Sequence, residues 1–360
     1  MPETFPNRRT NCDSLRPLPW SIAITSPTGG LCYAATSGYP LAALRAAIPT
    51  IRSLQEAELR ESECSTTSQD CHFIEIPLSS GEMQTASNFL GHVEFAPGFA
   101  PRPGISHVLF DFDGTLSLIR EGWPEVMVPM FAEMLPALAG ETEAQRRQLC
   151  LDDIMRLNGK QTIYQMIQLA ERIKERGGLP KEPLWYKHEY LRRLDERIRS
   201  RTEGIRNGSL RRDDFVVHGA RALLESLQRR SLMLYLASGT DEAFVKQEAE
   251  LLDLARYFGP HIYGALDDYR NFSKKMVIDR LLRENQISGA QLLAFGDGYV
   301  EIQNTKEVGG LAVAVASDEA HNGSGRIDEW KRQRLLGVGA DVVIPDYRDA
   351  EPVLERILHQ

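Results

Sequence analysis

Cysteine is scarce in this 360-residue chain, and lysine is absent from its first 159 positions. The five cysteines are an odd number and contain no CxxC pair. A disulfide framework or a zinc ribbon is therefore not indicated, and the cytoplasm is the expected compartment. Apolar runs are short, and none approaches the roughly eighteen uncharged residues that a membrane span requires. The opening stretch MPETFPNRRTNCDSLRPLPW has no apolar segment after its arginines, which argues against a secretory signal. Basic charge is also in deficit. Lys plus Arg number 42 against 50 Asp plus Glu, and a net charge of −8 gives no general attraction for DNA or RNA. Neither a membrane nor a nucleic acid is expected as a partner. The length suggests about two to three domains of ordinary soluble composition.

These scarcities are unevenly spread. Four of the five cysteines and eleven of the nineteen prolines precede Gly104, which sets residues 1–103 apart as a separate N-terminal α+β segment. Within it, Ser21–Thr25 and Leu31–Ala35 read as a hairpin around Ser26-Pro-Thr-Gly-Gly30. Leu41, Leu44, Ile48, Ile51 and Leu54 follow helical spacing after Pro40, interrupted at Pro49. Glu61–Asp70 reads as a loop and His72–Pro77 as a strand. Ala96–Gly104 is a linker by its Pro/Gly content. No chemistry stands out in this segment. Its role stays open between a partner-binding unit, an oligomerisation element and a fused remnant.

From Ile105 onward the pattern is regular. Ile105–Asp111, Ser231–Ser238 and Gln291–Asp297 are apolar runs that end in polar residues, and Leu311–Ala316 and Asp341–Pro345 are two more short runs. Helical segments at Ala220–Arg229, Asp241–Leu252 and Lys274–Arg283 lie between them. Strands alternating with helices predict an α/β fold, a Rossmann-like parallel sheet with helices on both faces. Ligands of such sheets sit beyond the carboxyl ends of the strands. Ser117–Arg230 is too long for a simple crossover and rich in helix formers, so it reads as a helical insert over those ends.

Four motifs carry the chemistry. Asp111-Phe-Asp-Gly-Thr-Leu-Ser117 follows a buried strand. Carboxylates at i and i+2 both project past the strand end and can hold a hard divalent cation such as Mg²⁺. One can attack phosphorus, and the other can serve as acid and base. Thr115 offers a hydroxyl and an amide to a phosphate. In Leu236-Ala-Ser-Gly-Thr240, Ser238 and Gly239 stand where a strand end meets a helix start, a favourable place for a phosphoryl oxygen. Ser273 reads as an N-cap, and either Lys274 or Lys275 opens the next helix against its dipole, a costly placement unless an anion lies near. Phe295-Gly-Asp-Gly-Tyr-Val-Glu301 offers Asp297 to a metal and a second acid to the metal or its water.

In this order the four motifs resemble the haloacid dehalogenase superfamily of hydrolases, over roughly Ile105–Pro345. The resemblance implies Asp111 as nucleophile and Asp113 as general acid/base, with Thr115, Ser238, Gly239 and Lys274 around the phosphoryl group. It implies Asp111, Asp113, Asp297 and Glu301 around Mg²⁺. Lys274 is preferred to Lys275 because Ile278 then falls on the buried face. Glu301 stands where relatives often have Asp. The second acid, Asp113, favours phosphate esters over carbon–halogen bonds, because an ester leaving group needs a proton.

The resemblance divides the chain into an N-terminal segment at 1–103, a catalytic core at 104–118 and 231–360, and a helical cap at 119–230. Arg120, Glu121, Trp123, Lys160 and Gln161 are the candidate substrate contacts of the cap. Asp267-Asp268 reads as a loop feature, His218 as structural and Cys150 as a packing residue. The expected activity is Mg²⁺-dependent hydrolysis of a small phosphorylated metabolite through an aspartyl phosphate. Transfer to an alcohol, as in a sugar phosphomutase, and a non-catalytic regulatory module are the alternatives.

Overall fold

A strand paired on both edges and covered on both faces has no side to show to water, and His107–Phe110 (β5) is such a strand, buried along its whole length. In the computed structural model, which describes residues 21–25, 31–35 and 89–359, β5 is an inner strand of an eight-stranded sheet, between β8 and β6. The other strands are Phe89–Leu90 (β3), Val93–Phe95 (β4), Met233–Asp241 (β6), Ile262–Ala265 (β7), Leu292–Gly296 (β8), Leu311–Val315 (β9) and Val342–Ile344 (β10), in the order β3-β4-β10-β9-β8-β5-β6-β7. From β10 to β7 the strands run parallel, and β4 pairs antiparallel to β10. The chain leaves β5 toward β6 and β7, then crosses back to β8, β9 and β10. This reversal beside β5 is the switch point at which such sheets bind ligands.

Alternation along the strands sorts the core into two faces. Val108, Phe110, Leu293, Phe295 and Val313 join one apolar cluster, whereas Leu109, Tyr235 and Ala294 face another. Ala220–Arg229 (α5) and Ala350–Leu358 (α11) cover the first face. Lys274–Glu284 (α8) covers the second, and Tyr299–Glu307 (α9) and Glu329–Gly337 (α10) continue that layer over Ala312 and Ala314. Glu242–Leu251 (α6) and the short Ala255–Phe258 (α7) follow β6. The fold is thus the expected Rossmann-like α/β sheet with helices on both faces.

Between β5 and α5 lie four further helices, Pro124–Met134 (α1), Glu143–Arg156 (α2), Thr162–Glu175 (α3) and Pro183–Arg206 (α4). Helix α2 starts on a capping box in which Thr142 accepts from the Gln145 amide at 3.2 Å and Gln145 accepts from the Thr142 amide at 2.9 Å. Met130, Ile154, Met166 and Tyr190 join the same apolar cluster as the first sheet face.

The chain groups into two compact units, Met1–Gly81 and Glu82–Gln360. In the first, Ser21–Thr25 (β1) and Leu31–Ala35 (β2) pair antiparallel, with Ile24 opposite Cys32. The helix expected after Pro40, the loop at Glu61–Asp70 and the strand at His72–Pro77 lie outside the described residues. The second unit begins upstream of the Pro/Gly stretch that sequence composition marked as a linker. Its β3–β4 hairpin adds two strands to the edge of the sheet, with Val93 and Phe95 fully buried.

Candidate active site

The loop after β5 is built to hold two carboxylates at the sheet's rim. Phe112 is completely buried and its carbonyl accepts from the amides of Leu116 and Ser117 at 2.8 and 2.9 Å, which turns the chain sharply. Gly114 makes the turn at φ +72°, and a side chain there would fall 2.3 Å from an Asp297 carboxylate oxygen. Its carbonyl accepts from the Ser317 hydroxyl at 2.9 Å, and that of Thr115 from the Tyr347 hydroxyl at 3.0 Å. The loop is therefore pinned from below by residues following β9 and β10.

Two buried lysines divide the acids into two groups. Lys274 lies 2.8 Å from Asp111 Oδ1 and 2.9 Å from Glu301 Oε2. Glu301 also accepts from the Gly298 amide at 2.6 Å. Lys331, from α10, lies 3.0 Å from Asp297 Oδ2 and 2.6 Å from Glu319 Oε1. Burial pushes Asp111 well above the usual carboxylate range; Lys274 opposes this, and Glu301 and Asp297 add to it. Asp297 is pushed up to about 6, again by burial first, with Lys331 opposing and Glu319 and Glu301 adding. Both lysines are held above their ordinary values, because their carboxylate neighbours outweigh the effect of burial.

Oxygen atoms of Asp111, Asp297 and Glu301 gather within 4.8 Å of one another. Four carboxylates (Asp111, Asp297, Glu301 and Glu319) face two ammonium groups (Lys274 and Lys331), leaving two negative charges in excess. All the donors are hard oxygens. This set fits a divalent cation of the Mg²⁺ kind in both charge and donor type.

Asp113 turns away from that group. Its Oδ2 accepts from the Thr240 hydroxyl at 2.8 Å and the Ser238 hydroxyl at 3.3 Å, both at the end of β6. Its Oδ1 is buried without a hydrogen-bond partner among the described residues, 3.7 Å from Arg120 Nε. Asp113, expected beside the cation, does not join the close group of Asp111, Asp297 and Glu301 oxygens, because these hydroxyls hold its carboxylate. The hydroxyl of Thr115, expected at a phosphate, is likewise engaged within the protein. It is fully buried and accepts from the Asp297 amide at 3.0 Å, so it fastens one loop to the other.

Asp111, Asp113, Ser238, Gly239, Lys274 and Asp297 share one cavity with residues of α1, α3 and α4. Lys275 is exposed and pairs with Glu307 at 3.2 Å. Arg120, Glu121, Trp123 and Lys160 line the cavity. Arg120 is engaged by Glu248 through contacts of 2.7 and 3.0 Å, and Glu121 pairs with Arg201 at 2.8 Å. Gln161 does not line the cavity. Its amide donates to the carbonyls of Phe272 and Tyr269 at 2.6 and 3.1 Å, so it ties the α2–α3 turn to the loop before α8.

Asp267 and Asp268 form no metal-like group; Asp268 accepts from Asn271 and Asp267 lies 3.9 Å from Lys187. His218 accepts through its carbonyl from the Tyr347 amide. Cys150 is buried, and burial pushes its thiol up to about 11. Sequence reasoning missed Lys331, Glu319, Gln165 and Tyr190. None stands in a motif, and only the tertiary fold brings Glu319, Gln165 and Tyr190 to the cavity and Lys331 to Asp297.

The family model for haloacid dehalogenase-like hydrolases matches residues 105–309. Solved structures similar to the chain include a haloacid dehalogenase-like family hydrolase from Streptococcus pneumoniae, at 20% identity, covering 70% of this chain and 97% of that one, with a TM-score of 0.43. Another is a haloacid dehalogenase family hydrolase from Deinococcus radiodurans with bound phosphate and sodium, at 16% identity, 71% and 97% coverage and a TM-score of 0.45. A third is a β-phosphoglucomutase from Clostridium difficile, at 10% identity, 65% and 98% coverage and a TM-score of 0.42. No curated protein matches the chain.

Proposed function

We propose that this chain, which belongs to the haloacid dehalogenase-like hydrolases, is a Mg²⁺-dependent phosphatase of a small phosphate monoester. The observation that carries the reading is the excess of buried carboxylates at the rim of β5 and β8, on the same cavity as Asp113 and Ser238. Asp111 and Asp297, with Glu301 through the metal or its water, would hold the ion. When bound, it supplies positive charge to the phosphoryl oxygens and the nucleophile.

Asp111 attacks phosphorus, and the bond to the leaving oxygen breaks. Asp113, on the same cavity, gives that oxygen a proton. It then takes a proton from the water that opens the aspartyl phosphate, returning both acids to their starting states. Lys274, fixed between Asp111 and Glu301, neutralises charge as the phosphoryl group arrives. Ser238 and Gly239 line the same cavity and would take a phosphoryl oxygen. The helices inserted at 119–230 act as a cap that limits water. Cysteine usage and the absence, among the described residues, of any helix long and apolar enough to cross a membrane support a cytoplasmic setting.

Asp111→Asn keeps the shape of the side chain and removes the nucleophile. The variant is expected to stay folded while phosphate release from 4-nitrophenyl phosphate falls by about a thousandfold or more. Wild-type turnover by a folded variant would overturn the assignment. Release of free phosphate with one substrate present separates hydrolysis from transfer to an alcohol.

A further inference from the structure

The turn between α2 and α3 belongs to the inserted helices but forms part of the cavity, because Asn158, Gly159 and Lys160 line it. Two side chains tie this turn to the core. Gln161 donates from the turn to the carbonyls before α8. Arg334, on α10, donates the other way. Its guanidinium gives hydrogen bonds to the carbonyls of Met155, of Arg156 at 2.9 Å and of Asn158 at 3.4 Å. Carbonyls at the end of a helix lack the usual intrahelical partners and carry the negative end of its dipole. One planar fork spans all three of these, which a single ammonium cannot do.

Arg334 is half-buried and stands 4.7 Å from the Tyr299 ring and 5.0 Å from the Trp330 ring. Its partners are thus carbonyls and rings rather than a carboxylate. Burial pulls the guanidinium below its ordinary value, while Tyr299, Glu301 and Asp297 oppose this. The placement costs something and yields no ion pair, yet what it grips is a wall of the cavity. Lys331 and Arg334 stand three residues apart, so they share one face of α10. Lys331 reaches Asp297 and Glu319, and Arg334 reaches the turn. One short helix, beyond the residues 105–309 matched by the family model, therefore steadies both an acid of the site and the turn beside it.

We infer that Arg334 is a positioning residue, which seats the turn 158–160 at the cavity and so sets how tightly the substrate is held. This inference rests on the phosphatase reading. Without the guanidinium, Asn158 and Lys160 spend less time on the cavity wall, and substrate binds only the seated fraction.

The test uses the full chain with Mg²⁺ and two variants. Arg334→Met keeps an apolar stem and removes every donor, and Arg334→Lys keeps the charge but not the fork. A turn seated about a tenth of the time in Arg334→Met raises KM for 4-nitrophenyl phosphate about tenfold, while kcat at saturation stays within about twofold. Arg334→Lys is expected to fall between this variant and the wild type, and it carries the test alone should Arg334→Met not fold. Trypsin reads the turn directly. Cleavage after Arg156 and Lys160, followed by mass spectrometry, is expected to be about tenfold faster in Arg334→Met, because it tracks the open population. An unchanged KM, a fall in kcat alone or an unchanged cleavage rate would overturn the inference while leaving the phosphatase reading intact. No phosphate release from 4-nitrophenyl phosphate by a folded wild type would overturn that reading and the inference with it.

Discussion

Lys331 shows what a single side chain does here. It is buried between Asp297 and Glu319, and it comes from beyond the stretch matched by the family model. Replacing one partner of such a buried group costs about 3 to 5 kcal/mol, because the remaining charges face each other unpaired. Lys331→Met is therefore expected to lower the metal-free melting temperature. The gain on adding Mg²⁺ is expected to exceed that of the wild type, since the ion then neutralises a larger excess. An equal gain in both proteins would show that Lys331 does not share the ion's task. Asp111, Lys274 and Asp297 were legible in the sequence because each stands at a strand end or helix start with a local pattern. Lys331 and Glu319 carry no local pattern, since their meeting depends on how α10 packs over β9. Gln161 was misread for the complementary reason. Its polar turn made it a candidate substrate contact, but the carbonyls before α8 take it up.

Elements follow the same division. The strands β5, β8 and β9 and the helix α5 fall where apolar periodicity placed them, because burial on both faces or along one stripe leaves a strong trace. The hairpin β3–β4 left almost none, being two and three residues long and followed by a Pro/Gly stretch. The loop after β10 offers a test at this scale. Burial alone would raise Asp346, but the Arg348 side chain and amide outweigh it and hold the carboxyl below its ordinary value of 3.8. A depressed folded value adds stability that is present above 3.8 and lost as the pH falls through the lower folded value. Asp346→Asn is expected to lower the urea midpoint at neutral pH. Its midpoint should then fall less than that of the wild type between about pH 5 and about pH 3. Parallel decline of the two proteins would rule out this pairing as a source of acid sensitivity.

For the whole molecule, the useful boundary is the one between Gly81 and Glu82. Removing residues 1–81 is expected to leave Mg²⁺-dependent turnover and the melting temperature of the rest within a few degrees of the full chain. Removing 1–103 also takes away β4, which covers β10, buries Val93 and Phe95 and pairs Glu94 with Arg332 at 2.5 and 2.7 Å. Loss of a buried Phe alone costs about 3 to 5 kcal/mol, and a bare sheet edge invites association. Calorimetry and size-exclusion chromatography of the two truncations check this, and similar behaviour would place the boundary at Gly104 after all.

The inserted helices meet the strand-end loops through naked main chain. A methyl group on Gly298 would stand 2.8 Å from the Gly159 Cα, and one on Gly239 would stand 2.8 Å from the Lys160 carbonyl oxygen. Neither contact has any slack, so the clearance between roof and floor of the chamber is set by the thickness of the polypeptide itself. Adding one carbon at either seam works as a wedge, which would let solvent seep into the chamber that the proposed acyl phosphate would occupy.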